Sequence, residues 1–171
     1  MLLYSGKKRE RFLSMSHCNR DIWLIRHAPA CPSGYLYGHT DADIGQIETA
    51  TRERLQQKLA NCQHLCSSPA KRCVRTCQAL FPDHTPPHLI AAFWEQYFGD
   101  WEGLAYPDLP DLGLMNGQEL AKFTPPNGES FLDLCARIQP AFISLLRDVD
   151  EQQIAVFAHA GVIRAVLALV F

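Results

Sequence analysis

Two apolar runs near opposite ends of the chain finish alike. Ile22-Trp23-Leu24-Ile25 leads into Arg26-His27, and Ile154-Ala155-Val156-Phe157-Ala158 leads into His159-Ala160-Gly161. Continuous apolar runs of strand length belong to a buried parallel sheet, where ligands bind beyond the carboxyl ends of the strands. Between the two runs the pattern alternates between strand and helix. Residues 46–60 are rich in helix formers, with Ile47, Ala50, Leu55 and Leu59 at roughly helical spacing, and predict a first helix. Residues 63–67 predict a short strand. Residues 69–81 predict a helix with Ser68 as N-cap and Pro69 at its first position. Pro82 and the Pro86-Pro87 pair punctuate the chain before a third strand at 89–93.

Residues 99–126 are rich in Gly, Pro and aromatics, with one short helix expected at 118–123. An excursion of this length inside a compact domain is commonly a functional lid. Asn127-Gly128-Glu129-Ser130 opens a long helix over 131–148, kinked at Pro140. A fourth strand at 154–158 and a helix at 162–170 close the pattern. The order predicts a three-layer α/β/α sandwich around a mainly parallel sheet. The chain stops at Phe171 inside an apolar helix without a cap, so a fold shortened at its C-terminus is expected.

Length and composition narrow the function classes. A chain of 171 residues predicts one domain with a single sizeable core. Its first part, 1–19, carries Lys7, Lys8, Arg9 and Arg11 and reads as a flexible basic arm, leaving 20–171 as the folded domain. Leu2-Leu3-Tyr4 precedes these charges, the reverse of a secretory signal, and Met15 is an alternative start. No apolar run reaches the roughly 18 residues of a membrane span, and a net charge of −2 gives no general attraction to nucleic acid or anionic membranes. Seven cysteines, an odd number, fit reduced thiols in a cytoplasmic protein. Cys62-x3-Cys66 and Cys73-x3-Cys77 have a spacing compatible with zinc, but Cys73 and Cys77 fall four apart on a predicted helix and read as small buried hydrophobes. No metal and no other cofactor are expected.

Three constellations carry chemistry. Ser67-Ser68-Pro69-Ala70-Lys71-Arg72 puts cations in the first turn of a helix, where they oppose the macrodipole at a cost of a few tenths of a kcal/mol. An anion bound at that terminus resolves the conflict; a solvated basic face is the alternative. Arg26-His27 and His159 end two strands that can meet in one crevice, although a lone strand-end histidine is more often structural. There an arginine can hold a phosphate and a neutral imidazole can attack phosphorus. Glu95, Asp100 and Glu102 lie in the segment after the third strand. A carboxyl in aromatic surroundings can be raised in pKa and protonate a leaving alkoxide. Glu95 is nearest the strand end, whereas Asp100 and Glu102 read as loop anchors.

The residues in their order resemble the histidine phosphatase (phosphoglycerate mutase-like) superfamily: Arg26-His27, Ser68-Pro69-x-x-Arg72, Glu95-x-x-Phe98-Gly99-x-Trp101-Glu102-Gly103, Gly128-Glu129-Ser130 and His159-x-Gly161-Val162-Ile163-Arg164. The segment Gly34-Tyr35-Leu36-Tyr37-Gly38-His39-Thr40-Asp41 resembles the α-ribazole-5'-phosphate phosphatase branch, which acts late in cobalamin assembly. The resemblance implies a metal-free phosphomonoesterase acting on a small phosphate ester. His27 would become phosphohistidine. Arg26, Arg72 and His159 would bind the phosphoryl group, and Glu95 would act as proton donor and then base. His39, Tyr37 and Tyr106 are candidate substrate contacts. Two departures stand out: Ala28 follows the nucleophile where Gly is common, and Asp43-Ile44-Gly45 replaces a longer stretch. The alternatives are a phosphoglycerate mutase, which needs more lid sequence than this chain offers, and a catalytically weak phosphate-ester-binding protein.

Overall fold

The computed structural model describes residues 20–170; the expected basic arm at 1–19 lies outside them. The elements follow one another as β1 (Asp21–Arg26), β2 (Ala30–Cys31), β3 (Asp43–Ile44), α1 (Thr49–Lys58), β4 (His64–Ser67), α2 (Lys71–Leu80), β5 (His88–Leu89), α3 (Gly117–Lys122), α4 (Phe131–Asp148), β6 (Gln153–Ala158) and α5 (Ala160–Val170). Strands β1, β6, β4 and β5 form a parallel sheet in that spatial order. The two-residue strands β2 and β3 make a separate antiparallel pair. One face of the main sheet packs Ile154, Val156 and Cys66 against Leu134, Ile138 and Phe142 of α4 and Val162 and Val166 of α5. The other packs Ala155, Phe157 and Leu65 against Cys73, Cys77 and Leu80 of α2, with Leu59 at the end of α1. Three layers around a mainly parallel sheet result.

The register explains how the distant histidines meet. Arg26 is paired with Ala158, and the His27 N–H donates to the Ala158 carbonyl at 3.0 Å. Ser67 lies beside Phe157 on the other flank, and the Ser68 N–H donates to the Phe157 carbonyl at 2.9 Å. Thus β1, β6 and β4 release His27, His159 and Ser68 at neighbouring points along one sheet end.

Several boundaries differ from the pattern-based expectation. The second helix begins at Lys71 rather than Pro69, and Ser68 is not its N-cap; Ala70 occupies that position without a side-chain bond. Asp41, thirty residues earlier in the chain, supplies the cap instead, its carboxylate accepting from the Lys71 N–H at 2.7 Å. Strand β5 is only His88–Leu89. The chain then turns through a 3-10 element at Ala91–Phe93, burying Phe93 fully and carrying Glu95 to the sheet end. Helix α1 is shorter than 46–60 and buries none of its own residues, which is why its apolar spacing marks its limits poorly. Helix α4 matches its expected bounds and is continuous through Pro140. Ser130 caps it reciprocally with Asp133.

Cys73 and Cys77 are buried on α2, as expected of small hydrophobes. Cys62 and Cys66 belong to the cores on opposite faces of the sheet, so they cannot share a metal.

Candidate active site

A cavity of about 880 Å³ opens at the carboxyl ends of the strands, with Arg26, His27, Arg72, Glu95 and Arg164 on its wall. The His27 ring is anchored by its own strand end, where Nδ1 lies 2.6 Å from the Ala28 carbonyl oxygen. For that contact to be a hydrogen bond the proton sits on Nδ1, which leaves the Nε2 lone pair free. Burial lowers the His27 pKa to about 4, helped by the Arg72 and Arg26 charges and only partly offset by the Ala28 carbonyl. The ring is therefore a neutral base at physiological pH. Ala28 fits without disruption: it is buried, and its N–H donates to the Thr76 hydroxyl at 2.9 Å.

Arg72, in the first turn of α2, is fully buried. It donates from one terminal nitrogen to the Gly38 carbonyl at 2.7 Å and from the other to the Thr40 carbonyl at 3.1 Å. Its Nε is buried and has no hydrogen-bond partner among the described residues. The carbonyls are presented by a loop that Glu102 holds from its other side, accepting from the backbone N–H groups of His39 and Thr40 and from the Thr40 hydroxyl at 2.5–2.6 Å. Glu102 is therefore a loop anchor, as its position suggested. So is Asp100, which accepts from the Asn127 amide at 3.0 Å.

Glu95 is 8% exposed. One carboxylate oxygen accepts from the Gln96 N–H at 3.0 Å and the other from the Gly161 N–H at 3.1 Å. Desolvation raises its pKa above the ordinary carboxylate range against these two bonds and the nearby arginines. That favours a proton-bearing carboxyl beside two guanidinium groups. Gly161 is required here, since a Cβ at that position would run into the Glu95 carboxylate.

Sequence reasoning missed the residue that orients Glu95. Arg137, on α4, donates to the carbonyls of Ala92, Trp94 and Glu95 and pairs with the Glu129 carboxylate. Nothing in the linear pattern marks Arg137, which follows Asp133 by four residues and Glu129 by eight.

His159 is fully buried. Its ring meets His27 edge to face with centroids 5.2 Å apart, and its Nε2 is 2.8 Å from the Ser68 hydroxyl. Burial, reinforced by Arg72 and His27, drives its pKa far below the usual imidazole range. It is one residue before Ala160 and Gly161, which line the cavity beside His27. His39 is exposed, with its ring packed against Trp94 and Tyr97 at centroid distances of 5.3 and 5.0 Å and its backbone N–H donating to Glu102. Tyr37 and Tyr106 do line the cavity, together with Tyr35, Trp101 and Phe123. Trp101 and Phe123 stack at 5.4 Å. The loops bearing these aromatics are joined by backbone bonds: Leu36 exchanges two with Gly103 and Leu104, and the Tyr106 N–H donates to the Gly34 carbonyl, each at 2.9 Å.

Known proteins share this architecture. Two curated relatives are adenosylcobalamin/alpha-ribazole phosphatases. The one from Salmonella typhi is 27% identical and that from Escherichia coli (strain K12) 29% identical, each over 86% of this chain and 77% of the relative. A crystal structure of TTHB049 from Thermus thermophilus superposes with a TM-score of 0.67 at 28% identity, covering 86% of this chain and 82% of that one. The family description that matches residues 22–171 is the histidine phosphatase superfamily (branch 1). With that match over nearly the whole folded part, the chain is a phosphatase belonging to the histidine phosphatase superfamily.

Proposed function

We propose that this protein is a phosphomonoesterase working through a phosphohistidine on His27, and that its substrate is a small phosphate ester with an aromatic leaving portion, α-ribazole 5'-phosphate being the best candidate. The observation that carries the reading is the His27 ring, anchored through Nδ1 at the Ala28 carbonyl, in one cavity with buried Arg72 and buried Glu95, whose pKa burial raises.

In the first step the Nε2 lone pair of His27 forms a bond to phosphorus as the ester P–O bond breaks. The departing oxygen takes the Glu95 proton. Arg26 and Arg72 offset the charge on the phosphoryl oxygens, the main demand of phosphoryl transfer. In the second step the Glu95 carboxylate removes a proton from water as that water attacks phosphorus. The P–N bond breaks, and free His27 and protonated Glu95 return. His159, edge to face with the His27 ring, helps to hold it in place. Tyr35, Tyr37 and Tyr106 give the leaving portion flat apolar walls, which favours an aromatic group over a small glycerate, and names of two relatives point the same way.

Rapid quenching during turnover of α-ribazole 5'-phosphate labelled in its phosphate should trap acid-labile label on His27, absent in His27→Ala. An active enzyme with no such label would remove the covalent mechanism. Turnover of 3-phosphoglycerate to its 2-phospho isomer, in preference to hydrolysis of α-ribazole 5'-phosphate, would instead select a mutase.

A further inference from the structure

A cluster of nitrogen and sulfur donors lies away from the cavity, where β5 closes the sheet. His64 and Cys66 are two apart on β4 and share a face; the parallel register places His88 of β5 beside Cys66. One donor atom from each of the three lies within 4.8 Å of the other two. The imidazole rings of His64 and His88 meet edge to face at 6.3 Å. Cys66 is fully buried, His64 half-buried and His88 exposed, so the thiol forms the floor of a shallow site.

Two further observations mark this cluster. The His64 Nε2 is buried yet has no hydrogen-bond partner among the described residues, an arrangement that folded proteins rarely leave unexplained. On the other side of the same ring, Nδ1 lies 3.7 Å from a Glu151 carboxylate oxygen. A carboxylate there favours the proton on Nδ1 and leaves the Nε2 lone pair for a metal, as behind many metal-bound histidines.

We propose that His64, Cys66 and His88 bind a divalent cation of the zinc type, with water in the fourth position. Thiolate and imidazole together suit such an ion. Metal–ligand bonds of about 2.0–2.3 Å set donors ~3.5 Å apart around a tetrahedron, so the site closes by rotation of the exposed His88 side chain. Burial pushes the free Cys66 thiol up to about 12. On binding, the metal–sulfur bond therefore replaces the S–H bond, and one proton passes to solvent. His64 sits three residues before Ser67, roughly 10 Å along the strand at ~3.3 Å per residue. The ion then clips the two-residue edge strand β5 to β4 and takes no part in phosphate chemistry. It stabilises the fold by mass action because the unfolded chain lacks the arrangement.

The test uses the full chain stripped of metal and titrated with Co²⁺. One equivalent should develop a near-ultraviolet thiolate-to-cobalt band, and Zn²⁺ should displace it while raising Tm. Cys66→Ala should abolish the band. His88→Ala, which alters an exposed side chain and should leave turnover unchanged, should weaken Co²⁺ binding at least tenfold and shrink the Zn²⁺-dependent rise in Tm. The competing thiol is Cys73, whose sulfur is 3.4 Å from His159 Nε2. A band that survives Cys66→Ala overturns the proposal, as does the absence of any band. A Zn²⁺-dependent Tm rise equal in wild type and His88→Ala overturns it as well.

Discussion

The floor and the roof of the cavity are built by different means. On the floor three candidate reacting groups are held by backbone: His27 by the Ala28 carbonyl, Arg72 by the Gly38 and Thr40 carbonyls, Glu95 by the Gln96 and Gly161 N–H groups. The roof, over residues 99–126, has two 3-10 turns and the six-residue α3, with Tyr106 57% and Leu120 53% exposed. Its apolar side chains face the cavity and solvent at once. The proposed reaction chemistry thus falls to groups with little freedom, and the proposed recognition of the leaving portion to groups with much more.

The sharpest way to break this division is at the nucleophile. His27→Ala should lower kcat by about 10⁴-fold or more, the scale of nucleophile loss in other covalent enzymes, while inorganic phosphate still binds by calorimetry. Wild-type turnover in that variant would move the chemistry off the floor.

Glu95→Gln comes next, with a loss of roughly 10²–10⁴-fold for alkyl phosphates. The loss should be much smaller for 4-nitrophenyl phosphate, whose leaving group needs no proton. The pH profile gives a second reading of the same residue. Attack requires neutral His27, so kcat/KM should rise through pH about 4. It requires protonated Glu95, so it should fall as pH passes the raised Glu95 pKa. Glu95→Gln should erase the alkaline descent and keep the acid limb.

Arg137 tests whether holding a group differs from being one. Arg137→Met removes the grip on the Ala92, Trp94 and Glu95 carbonyls and should cost about 10–10²-fold in kcat, the scale of a small misplacement. The alkaline limb should shift as well, because Glu95 relaxes. An unshifted limb would reduce Arg137 to a fold-stabilising contact. The smallest effect belongs to the roof. Tyr106→Ala should raise KM for an aromatic ester by up to about tenfold, the scale of one aromatic contact, and leave glycerol 2-phosphate unchanged. Equal effects on both substrates would show that the roof also serves the chemistry.

How much of this was legible beforehand depends on the range of the interaction. Strand-end residues His27 and His159 were readable because local apolar runs end there, and register then brings them together. Ser130 and the bounds of α4 were readable because capping is local. The start of α2 was not, since its cap comes from Asp41 in another segment. Residues 89–93 were misread as all strand because the turn at Ala91–Phe93 answers to burial of Phe93 rather than to alternation. The backbone setting of His39 was not readable either, since the carboxylate that accepts from its N–H lies sixty-three residues away. Arg137 and the His64, Cys66 and His88 cluster depend wholly on contacts between elements, for which the linear pattern has no sign.

The main-chain bonds joining Leu36 to Gly103 and Leu104, and Gly34 to Tyr106, involve no side chains. The frame of the roof is therefore indifferent to which residues hang from it. Tyr35, Tyr37 and Tyr106 can be exchanged for other residues while the loops keep their course and the floor keeps its charges. Substrate preference in such a protein can drift by single replacements, each leaving a folded and chemically competent enzyme for the next to act upon.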